Sequence, residues 1–428
     1  MKRRDSLKSL AALGALALPG RPPDPIAFSP MMNLPDPAAD ELPPDSDLDT
    51  LAVHAGSAGD PATGAVTPPL YLSTTYGRHA NGTFGPYNYT RGGNPTRHAL
   101  EIRLAALEGG ADAFAFASGM AAALAVFQAV LAPGAHVVLP DDCHHGTRAL
   151  LDEVLTRWQV TYSEVDMSDP VRVAAVLRPE TALVWLETPS NPQLKIADIK
   201  AIVGVAKARG VLVGCDNTWA TPYFQRPLAL GVDVVMHSTT KYLGGHSDLL
   251  GGCVVVGPAS PLAERLRLGQ KYGGAAPAPC DCWLLLRSLA TFPLRMPRHA
   301  ASAGRLARWL EAHPRIERVF YPGLPAHPHH AVAKRQMRGG FGGMLAVLVR
   351  GGAAEALRVA GSLRLFRHAT SLGGVESLVE HRRSAEGTHP KSAANLLRVS
   401  VGIERCADLL ADWQQALAGP PADASPGK

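Results

Sequence analysis

Short apolar runs alternate with helical stretches over the middle of the chain. From about residue 99 onward, runs of four to six apolar residues lie between segments whose apolar positions recur at helical spacing. Strands that alternate with helices imply βαβ units and a mostly parallel sheet covered by helices on both faces. The predicted helices and strands of this region are a helix over 98–107, a helix through Leu131, strands over 113–117, 136–139, 160–165, 183–186 and 252–256, and strands beginning near Val211 and Val232.

The pattern changes after about residue 288. A helix is predicted over 299–313, a strand over 343–349 and a helix over 406–418, where Leu409, Trp413 and Leu417 recur at helical spacing. The fold class is therefore α/β: a mostly parallel sheet domain over 94–288, followed by a smaller α+β domain over 289–421.

The first 93 residues carry little periodicity. Residues 1–47 read as a leader and a Pro-, Asp- and Ala-rich disordered linker, and 48–93 as an extended N-terminal arm. Arg3 and Arg4 precede the apolar stretch 9–18, which resembles a twin-arginine export signal, although no clean small-residue cleavage site follows. The alternative is an untidy leader on a cytoplasmic protein, so both compartments stay open.

Composition narrows the range of partners. The 428 residues carry a formal net charge of +5 without a cluster of Lys and Arg, so we expect no nucleic-acid partner. No apolar run past the first twenty residues approaches the length of a membrane span. We also expect no metal site, because the adjacent residues Cys143, His144 and His145 rarely converge on one ion.

Lys241 and Asp216 are the first candidates for chemistry. Each follows an apolar run at the end of a predicted strand. A lysine amine can form a Schiff base with an aldehyde cofactor, and a carboxylate can keep that cofactor's pyridine nitrogen protonated. Pyridoxal 5'-phosphate (PLP) needs both groups. The alternative is an ordinary solvated lysine, which is the more frequent meaning of a lone lysine after a strand.

A phosphate site is indicated close by. Gly119 and Met120 open a helix after a strand, and backbone N–H groups at a helix start can hold a phosphate. Ser238 and Thr240 flank Lys241 and could offer hydroxyl groups to the same phosphate. Each feature alone is weak, because such residues are common at the ends of strands.

Taken together, the motifs resemble those of the Cys/Met-metabolism PLP-dependent enzymes, the family of the cystathionine γ-synthases, β-lyases and γ-lyases. The resemblance covers about residues 50–418 and implies an aspartate-aminotransferase-like (fold type I) architecture with 94–288 as the PLP-binding domain. It rests on motifs that occur in order, namely YTRGGNPT (89–96), ASGM (117–120), ETPSNP (187–192), DNTW (216–219), STTKY (238–242), GHSD (245–248), SLGGVES (371–377) and LRVSVG (397–402).

The resemblance also implies roles for individual residues. Lys241 would carry PLP and Asp216 would pair with its ring nitrogen. Arg398 would hold the substrate α-carboxylate, for which a guanidinium is well suited. Tyr89 and Arg91 would reach the phosphate of a neighbouring subunit, which makes a dimer the minimal catalytic unit and a homotetramer the expected assembly. The remaining implied contacts are the phosphate cup of Gly119, Met120, Ser238 and Thr240, and the substrate and cofactor contacts of Asn191 and Ser371.

The chain departs from the family pattern at three places. His144 stands where the family has the tyrosine that stacks on the cofactor ring, and its protonation would matter there; the alternatives are a titrating group and a plain stacking platform. Thr370 matches neither the γ-specific nor the β-lyase relatives. The segment RRSAEGT (382–388) differs from the usual substrate-entrance loop and stays unassigned.

The favoured function is a carbon–sulfur lyase that cleaves cystathionine or a related thioether amino acid by elimination, through a Schiff base on Lys241. Two alternatives stay open. One is γ-replacement, which joins cysteine to an activated homoserine. The other is a PLP-binding protein that has lost catalysis through the changes at His144 and in the entrance loop.

Overall fold

The computed structural model describes residues 42–43, 45–386 and 391–419. The predicted export signal lies outside the described residues, and the compartment therefore stays a prediction. The predicted domain boundaries likewise stay predictions. None of the helices in the described ranges is long and apolar enough to cross a membrane.

A seven-stranded sheet forms the larger layer of the molecule. Its strands are β1 (Asp112–Phe116), β2 (His136–Pro140), β3 (Thr161–Val165), β4 (Thr181–Glu187), β5 (Leu212–Asp216), β6 (Val234–His237) and β7 (Gly252–Val256). They lie in the order β1-β7-β6-β5-β4-β2-β3. All pairs are parallel except the two made by β7, which runs antiparallel to β1 and β6. The predicted mostly parallel sheet is confirmed.

Burial explains the composition of these strands. Every residue of β2 and β7 is buried, as expected for interior strands with helices on both faces. The edge strand β3 keeps partly exposed polar residues, which suits its open side. The helices that accompany this sheet are α1 (Leu48–His54), α2 (Pro95–Glu108), α3 (Gly119–Val130), α4 (His145–Ala149), α5 (Pro170–Val176), α6 (Ile199–Lys207), α7 (Thr221–Phe224), α8 (Leu262–Gly273) and α9 (Pro279–Leu289).

The N-terminal arm is not extended throughout, in contrast to the prediction. It begins with α1, whose buried Ala52 packs into the core. The buried guanidinium of Arg103 fixes the end of α1, because its Nε donates to the carbonyl of Ala55 at 2.7 Å. Between α1 and α2 the described chain is irregular, with isolated bridges at Thr75–Tyr89 and Arg78–Phe84. The short helix forms because tertiary contacts outweigh weak local propensity.

A second, five-stranded sheet forms the C-terminal layer. Its strands are β8 (Ile316–Phe320), β9 (Met344–Val349), β10 (Arg367–His368), β11 (Leu378–His381) and β12 (Leu396–Ser400), in the order β10-β11-β12-β9-β8. Only the pair of β10 and β11 is parallel. The helices of this part are α10 (Phe292–Glu311), α11 (His330–Gln336), α12 (Gly352–Ser362), α13 (Arg382–Ala385) and α14 (Cys406–Ala418).

The core of this second part comes from β9, β12, α10 and α14. Leu409 and Trp413 of α14 are fully buried, and the helix has the predicted bounds. Helix α10 begins seven residues before the predicted start at 299, because Pro293 lies in its first turn, where no N–H is needed. The expected smaller α+β domain is confirmed.

Candidate active site

Three strand ends build one edge of the larger sheet. Asp216 ends β5 and Glu187 ends β4, and the two residues are direct partners in the parallel register. His237 ends β6 and leads into the turn that carries Lys241. Ligand sites of open α/β sheets lie outside the carboxyl ends of the strands. The topology therefore places both predicted key residues at the edge where a ligand is expected.

The start of α3 adds an anion-binding element to this edge. Ser118 caps the helix by accepting a hydrogen bond from the N–H of Ala121 at 3.1 Å. The N–H groups of the first helical residues, Gly119 and Met120, have no intrahelical acceptor, as at any helix start. A Cβ on Gly119 would lie 2.7 Å from Cβ of Ser238. The structure thus brings Gly119 and Ser238 together in a cradle that tolerates no side chain at position 119.

Thr240 differs in part from the predicted phosphate cup. Its Oγ1 donates to the carbonyl of Gly251 at 3.2 Å and accepts the N–H of the same residue at 3.0 Å. The hydroxyl therefore ties the Lys241 turn to the segment before β7. Its proton is directed at the carbonyl of Gly251, and the predicted contact of Thr240 with a phosphate stays a prediction.

Lys241 lies where the two sheets meet. Its Nζ donates to Oγ of Ser371 at 2.6 Å, and Ser371 belongs to the C-terminal part of the chain. Burial and the charge of Arg398 together lower the pKa of Lys241 to about 8, although the charge of Glu380 opposes the shift. An amine with such a pKa supplies a useful fraction of the neutral, nucleophilic form near neutral pH.

Arg398 is buried in β12 and makes polar contacts with residues from three parts of the chain. Its Nη1 donates to Oδ1 of Asn191 at 3.2 Å, and its Nη2 donates to the carbonyl of Ser371 at 3.2 Å. Nη2 also forms an ion pair with Oε2 of Glu380 at 2.8 Å. Burial lowers the pKa of Arg398 to about 10, with Glu380 acting against the shift. Asn191, Ser371 and Arg398 thus form one cluster, and their contacts with substrate and cofactor stay predictions.

Two carboxyl groups at the strand ends lie out of water. Burial raises the pKa of Asp216, against which hydrogen bonds from Thr218, including its N–H at 3.0 Å, act in part. Burial also raises the pKa of Glu187 well above its usual range, and the charge of Asp216 adds to this. A cation placed beside Asp216 would relieve the cost of its burial. The pyridinium of PLP is such a cation.

His144 lies next to one of these carboxyl groups, that of Glu187. Its backbone N–H donates to Oε2 of Glu187 at 2.7 Å. Burial lowers the pKa of His144 to about 3, and the neighbouring groups His145, Arg382, Lys241 and Arg398 add to the shift. The ring is therefore neutral at physiological pH. This favours the stacking platform over the titrating group.

Tyr89 and Arg91 lie apart from this cluster within the same chain. Tyr89 is 44% exposed, and the guanidinium of Arg91 lies 5.5 Å from the centre of its ring. Arg91 also donates to the carbonyl of Lys271 at 3.4 Å. These contacts leave the pair at the surface of the arm, and its predicted role across a subunit boundary stays a prediction.

Sequence reasoning missed the partners of Arg398. Glu380 of β11 is directly opposite Arg398 in the antiparallel register, and Arg382 donates to the same carboxylate oxygen at 3.1 Å. Arg382 also lies 3.4 Å from Glu386, so the unassigned segment carries a buried chain of alternating charges. Only the strand register makes this pairing visible. Glu187 could have been noticed, since it ends an apolar run as Asp216 does.

The residues at this edge fit PLP. An amine, a buried carboxyl group and a helix start with a glycine cradle correspond to the aldehyde, the ring nitrogen and the phosphate of that cofactor. The described residues hold no group of three or more His, Cys, Asp or Glu arranged for a metal ion.

Comparison with known proteins gives the same assignment. The family of Cys/Met metabolism PLP-dependent enzymes matches residues 49–418. Cystathionine gamma-synthase of Mycobacterium tuberculosis is 50% identical over 374 residues, 86% of this chain and 96% of that protein. Cystathionine beta-lyase of Coxiella burnetii is 45% identical over 381 residues, 87% of this chain and 98% of that protein.

Solved structures agree in fold. The crystal structure of metB from Corynebacterium glutamicum has a TM-score of 0.85 and 43% identity, and the match covers 87% of this chain and 98% of that one. Cystathionine gamma-lyase of Lactobacillus plantarum, solved with L-serine, has a TM-score of 0.81 at 39% identity, covering 87% and 99%. The match along almost the whole described chain, together with the arrangement of Lys241 and Asp216, shows that this protein belongs to the Cys/Met metabolism PLP-dependent enzymes.

Proposed function

We propose that this protein is a transsulfuration enzyme that binds PLP on Lys241 and acts on cystathionine by carbon–sulfur elimination. The observation that carries the proposal is the contact between the two halves of the site. Lys241 from the sheet edge is held by Ser371, whose carbonyl is held in turn by Arg398. A base and a carboxylate receptor are thereby fixed relative to one another.

Each residue contributes a defined step. Arg398 binds the α-carboxylate of the amino acid, and its contacts with Asn191 and Ser371 orient the guanidinium for this. Lys241, once freed, removes the Cα proton, for which its lowered pKa suits it. Bound PLP supplies the electron sink that stabilises the charge left at Cα.

Asp216 and His144 are the two residues that we assign to the ring of the bound cofactor. Asp216 would stabilise a protonated ring nitrogen through a buried ion pair. His144 offers an uncharged ring, so it brings no positive charge to a cationic cofactor. Loss of the Cα proton and cleavage of the Cβ–S bond would release homocysteine, with Lys241 carrying the proton to the leaving sulfur. The three-carbon enamine that remains would be hydrolysed by water to pyruvate and ammonia.

A second candidate is γ-replacement, the synthesis of cystathionine from cysteine and an activated homoserine. The mycobacterial relative at 50% identity has the name of a γ-synthase, which favours it. It would use the same carboxylate receptor and the same lysine, with an additional proton removal at Cβ.

The test is the product formed by the purified, PLP-loaded protein. Pyruvate from L-cystathionine, identified by mass spectrometry, is the expected outcome, whereas 2-oxobutyrate would mean γ-elimination. Cystathionine formed from L-cysteine and an O-acylated homoserine would establish the second candidate. The absence of all three products, with the visible cofactor band intact, would leave a PLP-binding protein without this catalysis and would contradict the proposal.

We also propose a homodimer as the smallest active assembly. Support comes from Tyr89 and Arg91, which are exposed and make no described contact with Lys241 or Arg398 of their own chain. An exposed aromatic residue beside an arginine suits a phosphate site completed from another subunit.

A further inference from the structure

Arg382 is a second buried arginine beside the carboxylate receptor Arg398. It begins α13, directly after β11, and its side chain is 7% exposed. Its Nη1 donates to Oε2 of Glu380 at 3.1 Å, and Nη2 of Arg398 lies 2.8 Å from the same oxygen. One carboxylate oxygen therefore joins the two guanidinium groups. None of the steps assigned to the site uses Arg382 or Glu380.

The carboxylate of Glu380 is held against the receptor and out of water. The register of β11 and β12 sets Glu380 directly opposite Arg398. Its side chain is 7% exposed, and its other oxygen, Oε1, has no hydrogen-bond partner among the described residues. The cost of burying a carboxylate is offset mainly by opposite charge in contact with it. The charge of Glu380 is thus shared by Arg398 and Arg382.

This sharing bears on how Arg398 can bind a substrate. With Glu380 as its sole charged partner, Arg398 would form a neutral pair, and an incoming carboxylate would meet the like charge of Glu380 close by. Repulsion between two such carboxylates is strong where water is excluded. Arg382 offsets it, because two guanidinium groups and one carboxylate leave one positive charge over. The receptor therefore keeps its attraction for an anion although it is buried against a glutamate.

Glu386 is a further carboxylate near Arg382, with Oε1 3.4 Å from Nε, but that Nε makes no hydrogen bond within the described chain. Glu386 accepts hydrogen bonds from the N–H groups of Lys391 and Ser392 at 2.8 and 2.9 Å, and from the hydroxyl of Ser392 at 2.5 Å. These donors stabilise the charge of Glu386 without Arg382. The hydrogen bond of Arg382 to Glu380 therefore remains its main link to the site.

We propose that Arg382 is a positioning residue for the carboxylate receptor. It shares the charge of Glu380, so that Glu380 orients the guanidinium of Arg398 without neutralising it. The segment 382–388, which the sequence leaves unassigned, thereby contributes to the binding of an amino acid through its first residue. The inference rests on the proposed role of Arg398 and on no particular thioether.

The test compares two neighbouring arginines with two small probes. Arg382→Gln removes the buried charge. Arg383→Gln is the matched control, because Arg383 is exposed and donates to the carbonyl of Ser392 at 3.2 Å. Aminooxyacetate and methoxyamine both displace the lysine from PLP and remove the visible cofactor band, but only aminooxyacetate carries a carboxylate. The second-order rate constant for loss of the band is measured with each probe on the PLP-loaded proteins, with free PLP as the reference.

For Arg382→Gln we expect the rate constant with aminooxyacetate to fall roughly tenfold, because the receptor then attracts a carboxylate less strongly. The rate constant with methoxyamine should be unchanged, and Arg383→Gln should match the wild type with both probes. An unchanged rate constant with aminooxyacetate in Arg382→Gln would overturn the proposal. An equal fall with both probes would also overturn it, because a general disturbance of the site does not depend on the carboxylate.

Glu380 provides a second comparison, which does not require Arg382→Gln to fold. Glu380→Gln removes the negative charge at a similar shape, so aminooxyacetate should react roughly several-fold faster than with the wild type. Glu380→Gln combined with Arg382→Gln replaces the ion pair by two neutral amides, a change that buried pairs often tolerate. It leaves the single charge of Arg398, so the rate constant should return to that of the wild type. Equal rate constants in Glu380→Gln and in the double variant would overturn the inference.

Failure of the proposed function gives a different result, which is visible in the wild type alone. A wild type without a cofactor band would contradict the binding of PLP. A wild type that reacts no faster with aminooxyacetate than with methoxyamine, relative to free PLP, would contradict Arg398 as the carboxylate receptor. The inference about Arg382 is decided instead by the differences between the variants.

Discussion

At the scale of single residues, charge and burial decide the chemistry. Lys241 and His144 both lie near Arg398, and each has a lowered pKa because burial and nearby cations disfavour the protonated form. Their roles differ accordingly. The pKa of Lys241 lets it take up and release a proton near neutral pH, whereas His144 stays uncharged at neutral pH.

Replacing Lys241 tests the central assignment. Lys241→Ala should reduce turnover of L-cystathionine to background and remove the visible cofactor band, since Lys241 supplies the amine that Ser371 holds. Lys207→Ala is the control, because Lys207 is half exposed and forms an ion pair with Asp233 at 3.6 Å, away from the site. Activity and band are measured on the same preparations. Their persistence in Lys241→Ala would contradict the assignment.

Arg398→Lys tests the carboxylate receptor. The ammonium cannot reproduce two parallel donors, and a lost charge-assisted hydrogen bond costs about 1.5–3 kcal/mol. We expect KM for the amino acid to rise roughly ten- to a hundredfold, with a smaller change in kcat. Arg358→Lys is the control, because Arg358 also pairs with a carboxylate, that of Glu355, but lies in α12. An unchanged KM in Arg398→Lys would show that Arg398 does not bind the carboxylate of the substrate.

His144→Tyr tests whether the ring titrates. Because the pKa of His144 is lowered to about 3, the folded protein does not protonate it between pH 5 and 8, and the pH profile of turnover should be unchanged. The unfolded chain does take up a proton near pH 6.5, so the wild type should lose stability relative to the variant as the pH falls below that value. Turnover rates at several pH values check the first expectation, and Tm values over the same pH range check the second. A limb of the profile that disappears in the variant would show that His144 titrates during catalysis.

At the scale of elements, the start of α3 and the ends of β4, β5 and β6 meet at one edge. The start of α3 can come close to the turn after β6 because Gly119 has no side chain. The side chain of Ser238 occupies the space that a Cβ on residue 119 would need. Local sequence places each element, but their spacing depends on the packing of α3 against β6 and β7.

Gly119→Ala tests this spacing. The new Cβ would lie 2.7 Å from Cβ of Ser238, so the helix start or the Lys241 turn must shift. We expect PLP affinity to fall by roughly tenfold or more, measured by titration of the apoprotein, through loss of phosphate contacts. Gly204→Ala in α6 is the control: a Cβ there meets nothing within 4 Å, and it should stabilise the helix slightly. Equal PLP affinity in both variants would show that the close contact of Gly119 and Ser238 is not needed to bind the phosphate.

At the scale of the whole molecule, the site belongs to both sheets. Lys241 and Asp216 come from the first sheet, and Ser371 and Arg398 from the second part of the chain. The alternating charges of Arg398, Glu380, Arg382 and Glu386 extend this junction into the unassigned entrance segment.

Mixing two inactive variants tests the proposed dimer. In a mixed dimer of Lys241→Ala and Arg91→Ala, one site carries both changes and the other carries none if Arg91 serves the neighbouring subunit. Co-refolded equal amounts should then recover roughly a quarter of the wild-type activity, because half of the dimers are mixed and each has one intact site. No recovery, although mixed dimers form, would place Arg91 in the site of its own chain.

The sequence alone determined the order and type of most elements. The apolar runs at β2 and β7 are buried on both faces, and such continuous runs can be recognised as strands from the sequence alone. The motifs around Lys241, Asp216 and Arg398 likewise named the residues that the fold brings together. The short helix α1 and the early start of α10 were missed, because their formation depends on packing and on prolines in the first turn.

Only the tertiary structure decided the partners and the charge states. The pairing of Glu380 with Arg398 needs the register of β11 and β12. The neutrality of His144 depends on burial and on cations brought from distant parts of the chain. A sequence fixes which groups are present, whereas their electrostatics depend on distance and exclusion of water, which exist only once the chain is folded.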